Sequence, residues 1–132
     1  MVLLGLFLVL PAAPASAPGS PPGCGANGFS VAASWSPAKG RLGLQSTLTV
    51  TVSQAGVNVC DVSGVTIRVA LPGMDGQPVA TSTTVAENKS YAASSGTTTV
   101  ATVPWVVALN PGVTTATARV EMTGTLQDLP GS

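Results

Sequence analysis

The stretch Thr47-Leu48-Thr49-Val50-Thr51-Val52 is the clearest indicator of the fold class, because hydroxyl and apolar side chains alternate in it without a break. Successive side chains of a strand point to opposite faces, so this period of two places Leu48, Val50 and Val52 on one face. Val and Thr both branch at Cβ, which favours strands over helices. The stretch therefore predicts a strand with one face in a core and the other in water.

Similar alternation recurs along the chain, and short clusters of Gly, Pro, Asn and Asp separate the runs, as expected of turns between strands. Further strands with one inward face are predicted over residues 29–36, 65–71, 97–109 and 116–122. Residues 79–85 are expected to form an edge strand, followed by a turn at 87–89. With no helical period after the first residues, the prediction is an all-β fold. It is an immunoglobulin-like antiparallel β-sandwich of about seven strands, with a small barrel as the alternative.

Three local features refine this prediction. Pro104 lacks a backbone N–H and must lie at a sheet edge or a bulge. Asn110-Pro111-Gly112 predicts a tight turn, with Pro at the second position and Gly at the third. Trp35 and Trp105 fall on inward parities, so both rings are expected in the core.

The composition excludes several classes of function. The 132 residues include five Lys and Arg, five Asp and Glu and no His, and the charged fraction is 8%. Scattered charges at this density predict no binding of nucleic acid or anionic lipid. Without His, the usual catalytic triads and zinc sites are missing, and Asp61 and Asp75 are too few for calcium. We expect a non-enzymatic protein with no catalytic, metal or cofactor-binding residues.

The N-terminus resembles an export signal. Residues 2–10 are apolar, and small residues follow, with Ala13-Pro14-Ala15 suited to a peptidase cut. An apolar run of about nine residues is too short to cross a bilayer but fits a signal peptide. Residues 1–15 are therefore predicted to be a signal peptide, and the protein to be secreted or held at the cell surface without further membrane contact. The alternative is a buried first strand.

Two cysteines, Cys24 and Cys60, are predicted to form one structural disulfide in an exported chain. Closing a loop of about 37 residues would stabilise the fold by roughly 4 kcal/mol in the chain-entropy model. A redox role would need a Cys-x-x-Cys pattern, which does not occur. A lipid anchor on Cys24 is disfavoured because Pro21 and Pro22 precede it.

The chain is expected to carry one folded domain. Residues 16–27 are rich in Pro, Gly and Ser and predict a spacer, 28–126 predict the sandwich, and 127–132 a flexible end.

Three segments carry a family resemblance: residues 48–56, residues 64–73 ending in Leu71-Pro72-Gly73, and residues 105–120 with Leu109-Asn110-Pro111-Gly112 before a final Thr/Val strand. Together they resemble the conserved-repeat and cell-adhesion-related immunoglobulin-like domains of bacterial surface proteins. The resemblance implies a stalk, spacer or adhesion module and no catalytic residues.

The expected function is that of an exported, non-enzymatic module for surface interaction, adhesion or structural spacing. Its partner would be a protein or cell-surface component, and the module itself a monomer. One alternative is a small-molecule or carbohydrate binder, for which the available aromatic platforms are Phe29, Trp35, Tyr91 and Trp105. The other is an assembly subunit in which an edge strand pairs with a neighbour.

Overall fold

The fold is all-β, as the alternation predicts. In a computed structural model, the structure describes residues 2–9, 29–54, 62–92, 96–123 and 127–128. Within these ranges the chain forms strands and contains no helix. The strands are β1 (Val2–Val9), β2 (Phe29–Ser36), β3 (Lys39–Gly40), β4 (Gln45–Gln54), β5 (Val62–Ala70), β6 (Thr83–Tyr91), β7 (Thr97–Val106), β8 (Thr115–Thr123) and β9 (Gln127–Asp128).

The strands form two sheets. The first has six strands in the order β3-β1-β8-β5-β6, with β9 also paired to β5, and the second has the order β2-β4-β7. Among these pairs β1 and β8 run parallel, and the others run antiparallel. The expectation of a purely antiparallel arrangement is therefore wrong at β1. No hairpin joins β1 to β8, so no tight turn forces the two strands into opposite directions.

One hydrophobic core lies between the sheets. The predicted inward residues of β4 are fully buried, with Leu48 and Val50 at 0% exposure and Val52 at 1%. The first sheet meets them with the inward faces of β5 and β8, as predicted. The buried residues of those two faces are Val65, Ile67, Val69, Ala116, Ala118, Val120 and Met122.

The two tryptophans pack against each other in this core. Trp35 is 8% exposed and Trp105 is 9% exposed, and their ring centroids lie 5.5 Å apart at an interplanar angle of 50°. Tilted ring pairs at this separation are favourable because the ring edge of one faces the electron-rich face of the other. The prediction that both rings belong to the core is confirmed.

β7 and the turn after it also follow the sequence. Pro104 lies opposite Thr47 on β7, which is the last strand of its sheet in the described residues, where proline is tolerated because one side of the strand makes no ladder bonds. At residues 110–113, the Val113 N–H donates to the Asn110 carbonyl oxygen over 3.1 Å, and Gly112 has a φ of 87°. The predicted edge position and tight turn are confirmed.

The predicted turn at residues 87–89 is wrong, because β6 runs through it from Thr83 to Tyr91. Asn88 has a φ of 47°, and the pairing register between β5 and β6 shifts along this stretch. The Asn88 N–H donates to Thr66 Oγ1 over 3.1 Å, which ties the irregular residue to the neighbouring strand. Asn adopts positive φ more easily than most residues, and here that property serves a bulge instead of a turn.

The segment between β5 and β6 folds back toward β8. Its turn is closed by the Gly76 N–H, which donates to the Gly73 carbonyl oxygen over 2.9 Å. Gly76 has a φ of 82°, and a Cβ on it would collide with the Thr115 carbonyl oxygen. Its own carbonyl accepts from the Thr117 N–H over 2.9 Å. Glycine is therefore required here by both conformation and space.

The structure describes part of each terminal region. Val2–Val9, predicted to lie in a signal peptide, form β1, which is the alternative of a first strand, and their role in export stays a prediction. Cys24, Cys60 and the spacer 16–27 lie outside the described residues, so the disulfide also stays a prediction. Gln127–Asp128, assigned from the sequence to the C-terminal end, form β9 against Val62 and Ser63. In the described ranges, no helix is long and apolar enough to cross a membrane.

Candidate functional site

The candidate site is the side of β8 that faces β1, over residues 115–121, which we call the β8 edge. Seven register pairs join the two strands, from Leu3 opposite Thr115 to Val9 opposite Glu121. The inward residues Ala116, Ala118 and Val120 of this stretch are all at 0% exposure. Ala116 lies opposite Leu4 in the register of the two strands, so Leu4 lies beside the buried inward face of β8.

β1 is bound through its backbone on both sides. The Leu3 N–H donates to the Thr114 carbonyl oxygen over 2.9 Å, and the Leu4 N–H donates to the Ala38 carbonyl oxygen over 3.0 Å. Val2 and Leu3 also pair with Gly40 and Lys39 of β3. The strand is thus inserted between β8 and β3, and backbone hydrogen bonds of this kind do not depend on side-chain identity.

Leu4 enters the core, and among the β1 residues whose burial is described, Leu3 to Leu6, it is the buried one. It is 6% exposed and belongs to the same buried cluster as Trp35 and Val107. Its neighbours on β1 lie differently, since Leu3 is 53% exposed and Leu6 is 38% exposed. Burial of a leucine side chain contributes about 1.5–3 kcal/mol, so Leu4 anchors β1 to the core.

A side chain from the second sheet also contacts β1. Trp35 Nε1–H donates to the Gly5 carbonyl oxygen over 2.7 Å. A buried indole N–H needs an acceptor, and here a backbone carbonyl of β1 provides it. Any extended chain in the place of β1 would offer a carbonyl of the same kind.

The solvent face of β8 carries an ion pair. Arg119 Nε lies 2.6 Å from Glu121 Oε1, and the side chains are 22% and 26% exposed. Arg119 Nε is buried but makes no hydrogen bond of suitable angle, so the contact is a Coulombic pair. The other end of the guanidinium donates to the Val79 and Ala80 carbonyl oxygens, each over 3.4 Å. Arg119 thereby fastens the 79–80 segment to β8.

Two cavities lined by described residues lie outside the β8 edge. One of about 370 Å³ lies between Arg41, Leu42 and the turn at 110–114. Another of about 220 Å³ is lined by valines, Leu71, Thr81 and Thr83, without a charged residue. Neither lining brings a nucleophile next to a general base, and in the described residues no three Cys, Asp or Glu lie close enough to hold a metal ion.

Tyr91, at the end of β6, has a phenol whose pKa is raised in the folded protein. Burial raises the pKa of its phenol above the ordinary value of 10.0, because desolvation disfavours the phenolate. This perturbation follows from packing at the rim of the core, where Tyr91 contacts the buried cluster.

Of the candidate ligands and cysteines that the sequence singled out, the described part of the chain contains Asp75. Cys24, Cys60 and Asp61 lie outside the described residues. Asp75 is exposed, and its Oδ1 accepts from the Gln77 N–H over 3.0 Å, which makes it a turn residue. Sequence reasoning did not find the β8 edge, since only the short apolar run at the N-terminus hinted that a further strand exists.

Comparisons with protein-family models, with curated proteins and with solved structures each found no match.

Proposed function

We propose that the protein is an exported, non-enzymatic immunoglobulin-like module that binds a protein or cell-surface component. The observation that carries the proposal is the pairing order of the strands. β2-β4-β7 corresponds to strands A, B and E of an immunoglobulin-like sandwich, and β6-β5-β8 corresponds to C′, C and F. The chain order of these six strands agrees with that assignment. β1 lies beside β8 on the side of a G strand, but it runs parallel to β8, whereas a G strand is antiparallel to F.

Two structural observations bear on the kind of partner that the module binds. Both tryptophans are buried, which removes two of the four aromatic platforms that a carbohydrate binder could use. By contrast, β1 is a strand inserted between β8 and the two-residue β3, and this favours recognition through strand pairing. Of the alternatives, the strand-pairing assembly subunit therefore has a specific observation in its favour.

Export is tested by fusing residues 1–28 to alkaline phosphatase, which is active only outside the reducing cytoplasm. We expect activity in a bacterial host, and we expect Leu6→Lys with Leu8→Lys to abolish it, because charges in the apolar run disrupt a signal. Export of the full chain is followed separately by cell fractionation. There Gln45→Lys, which adds a charge outside the apolar run, is the control. A full chain that stays in the cytoplasm would contradict the proposal.

The non-enzymatic role is tested on the purified chain with panels of hydrolase and transferase substrates. We expect no turnover above buffer. A reproducible activity that a single substitution removes would overturn this part of the proposal.

A further inference from the structure

We propose that the β8 edge is the binding site of this module, and that it accepts an extended, uncharged apolar segment of a partner polypeptide in the place of β1. The inference rests on the proposed function, for which it names the site and the chemistry of the partner. In the chain as described, Val2–Val9 occupy the edge themselves.

The backbone of β8 makes the edge a template for a strand. In the order β3-β1-β8-β5, β8 pairs with β5 on one side and with β1 on the other. When β1 is absent, seven residues of β8 lose their strand partner on that side. A row of unpaired N–H and C=O groups recruits another extended chain, as in recognition by strand addition.

The core beneath the edge also requires an occupant. Loss of β1 uncovers Ala116 and Ala118, which are at 0% exposure, and removes the Leu4 side chain that packs beside them. It also takes the Gly5 carbonyl away from Trp35 Nε1. The uncovered edge therefore combines apolar side chains with N–H and C=O groups that have lost their protein partners. A new strand covers the side chains and pairs with these groups, whereas water can only hydrate them.

β1 fits the role of a replaceable occupant. The segment contains no charged residue, so no ion pair of its own side chains holds it in place. Beyond β8, its remaining strand partner is β3, which has two residues. The same segment is the apolar part of the predicted signal peptide, whose removal would open the edge. A signal peptide and a strand that fills the β8 edge both require an uncharged apolar run.

The occupant has a defined chemistry. It runs parallel to β8 over seven residues and places a large apolar side chain at the Leu4 position, next to the core. At the Leu3 position the side chain is exposed, so polar residues are accepted there. The partner is therefore an extended peptide segment with an apolar anchor, and not a carbohydrate or a nucleic acid.

The experiment uses the full chain with its own β1 weakened. Leu4→Asp places a charge in the core and should release β1, whereas Leu3→Asp makes the same change at an exposed neighbour. The probe is a fluorescent peptide with the sequence of Val2–Val9 followed by two lysines for solubility. Its binding is measured by anisotropy, with tryptophan emission as a second signal because Trp35 donates to β1.

We expect the Leu4→Asp chain to bind the peptide at least tenfold more tightly than the Leu3→Asp chain and the unchanged chain do, with one peptide per chain. A peptide carrying Asp at its own Leu4 position should lose binding by a similar factor. If Leu4→Asp does not fold alone, Leu4→Ala serves as the milder variant, and recovery of folding by the peptide supports the proposal as well.

Equal binding to all three chains, or binding to none of the weakened chains, would overturn the proposal. Light scattering of the unchanged chain could also show a dimer fraction that rises with protein concentration and disappears in Leu4→Asp. That result would overturn the proposal of a separate partner, because the occupant would then be β1 of a second copy of this chain. The peptide assay does not involve export, so failure of the phosphatase fusion and failure of this inference are separate results.

Discussion

Trp35 and Gly5 are 30 residues apart in the chain, and the indole Nε1–H of Trp35 donates to the Gly5 carbonyl oxygen over 2.7 Å. The bond joins a core side chain of one sheet to the backbone of the first strand of the other sheet. The state of β1 is therefore coupled to the environment of a tryptophan, and tryptophan fluorescence reports it.

Leu4→Ala should lower the free energy of unfolding by about 2–4 kcal/mol, because it removes a buried side chain and leaves a cavity beneath β1. Leu3→Ala is the matched control, since Leu3 is more than half exposed. It should change stability by less than about 0.5 kcal/mol. Urea unfolding followed by tryptophan emission measures both, and equal effects would show that Leu4 does not contribute to the core.

Gly76→Ala should destabilise the fold by roughly 1–3 kcal/mol, since an L side chain there is strained at positive φ and collides with the Thr115 carbonyl. Gly112→Ala separates the two causes, because Gly112 has a φ of +87° but nothing within 4 Å of an added Cβ. It should cost about 1 kcal/mol from conformation alone. The difference in thermal midpoint between the two variants isolates the collision, and no difference would refute it.

Asn88→Val should destabilise the protein by about 1–2 kcal/mol, because a β-branched residue disfavours the positive φ of the β6 bulge. Asn88→Gly should change stability little, as glycine adopts this conformation without strain. Glu87→Val, at the exposed neighbouring position in the same strand, controls for the change in side-chain polarity. If Asn88→Val is as stable as Glu87→Val in urea unfolding, the bulge is not a constraint on this position.

Tyr91 should make stability fall at alkaline pH. Its pKa is raised in the folded state by burial, so the unfolded chain releases the phenol proton at lower pH than the folded chain does. The contribution is complete below about pH 10, the unfolded value, and is lost as the pH rises through the folded pKa.

Tyr91 is the only tyrosine, so the absorbance of phenolate near 295 nm follows its titration directly. Tyr91→Phe should flatten the fall of unfolding free energy above about pH 10 relative to the unchanged chain. An absorbance midpoint in the folded protein at or below that of the denatured protein would contradict the prediction.

The local sequence pattern was sufficient to predict the buried face of a strand wherever one face lies in water and the other in the core. The inward residues of β4, β5 and β8 were predictable because the period of two fixes which side chains are buried together. The failure at 87–89 has a physical reason: Asn next to charged residues suits both a turn and a bulge, and only the partner strand with Thr66 decides between them.

The β8 edge was not predictable in the same way. Residues 2–9 are apolar throughout, so they show no alternation from which a buried face could be inferred. A short apolar run satisfies an export signal and an inserted strand equally well. Its use as a strand depends on pairing with residues 115–121 of β8, far away in the chain.

Side-chain parity and the backbone preferences of Pro and Gly were enough to predict the all-β class, the inward residues of the main strands, the buried tryptophans and the turn at 110–112. Three features became visible in the folded chain alone: the parallel pairing of β1 with β8, the burial of Leu4 and the bond from Trp35 to Gly5. These features depend on which strands meet in space. A contact between distant segments produces no periodic pattern in the sequence of either segment, so it could not be predicted from periodicity.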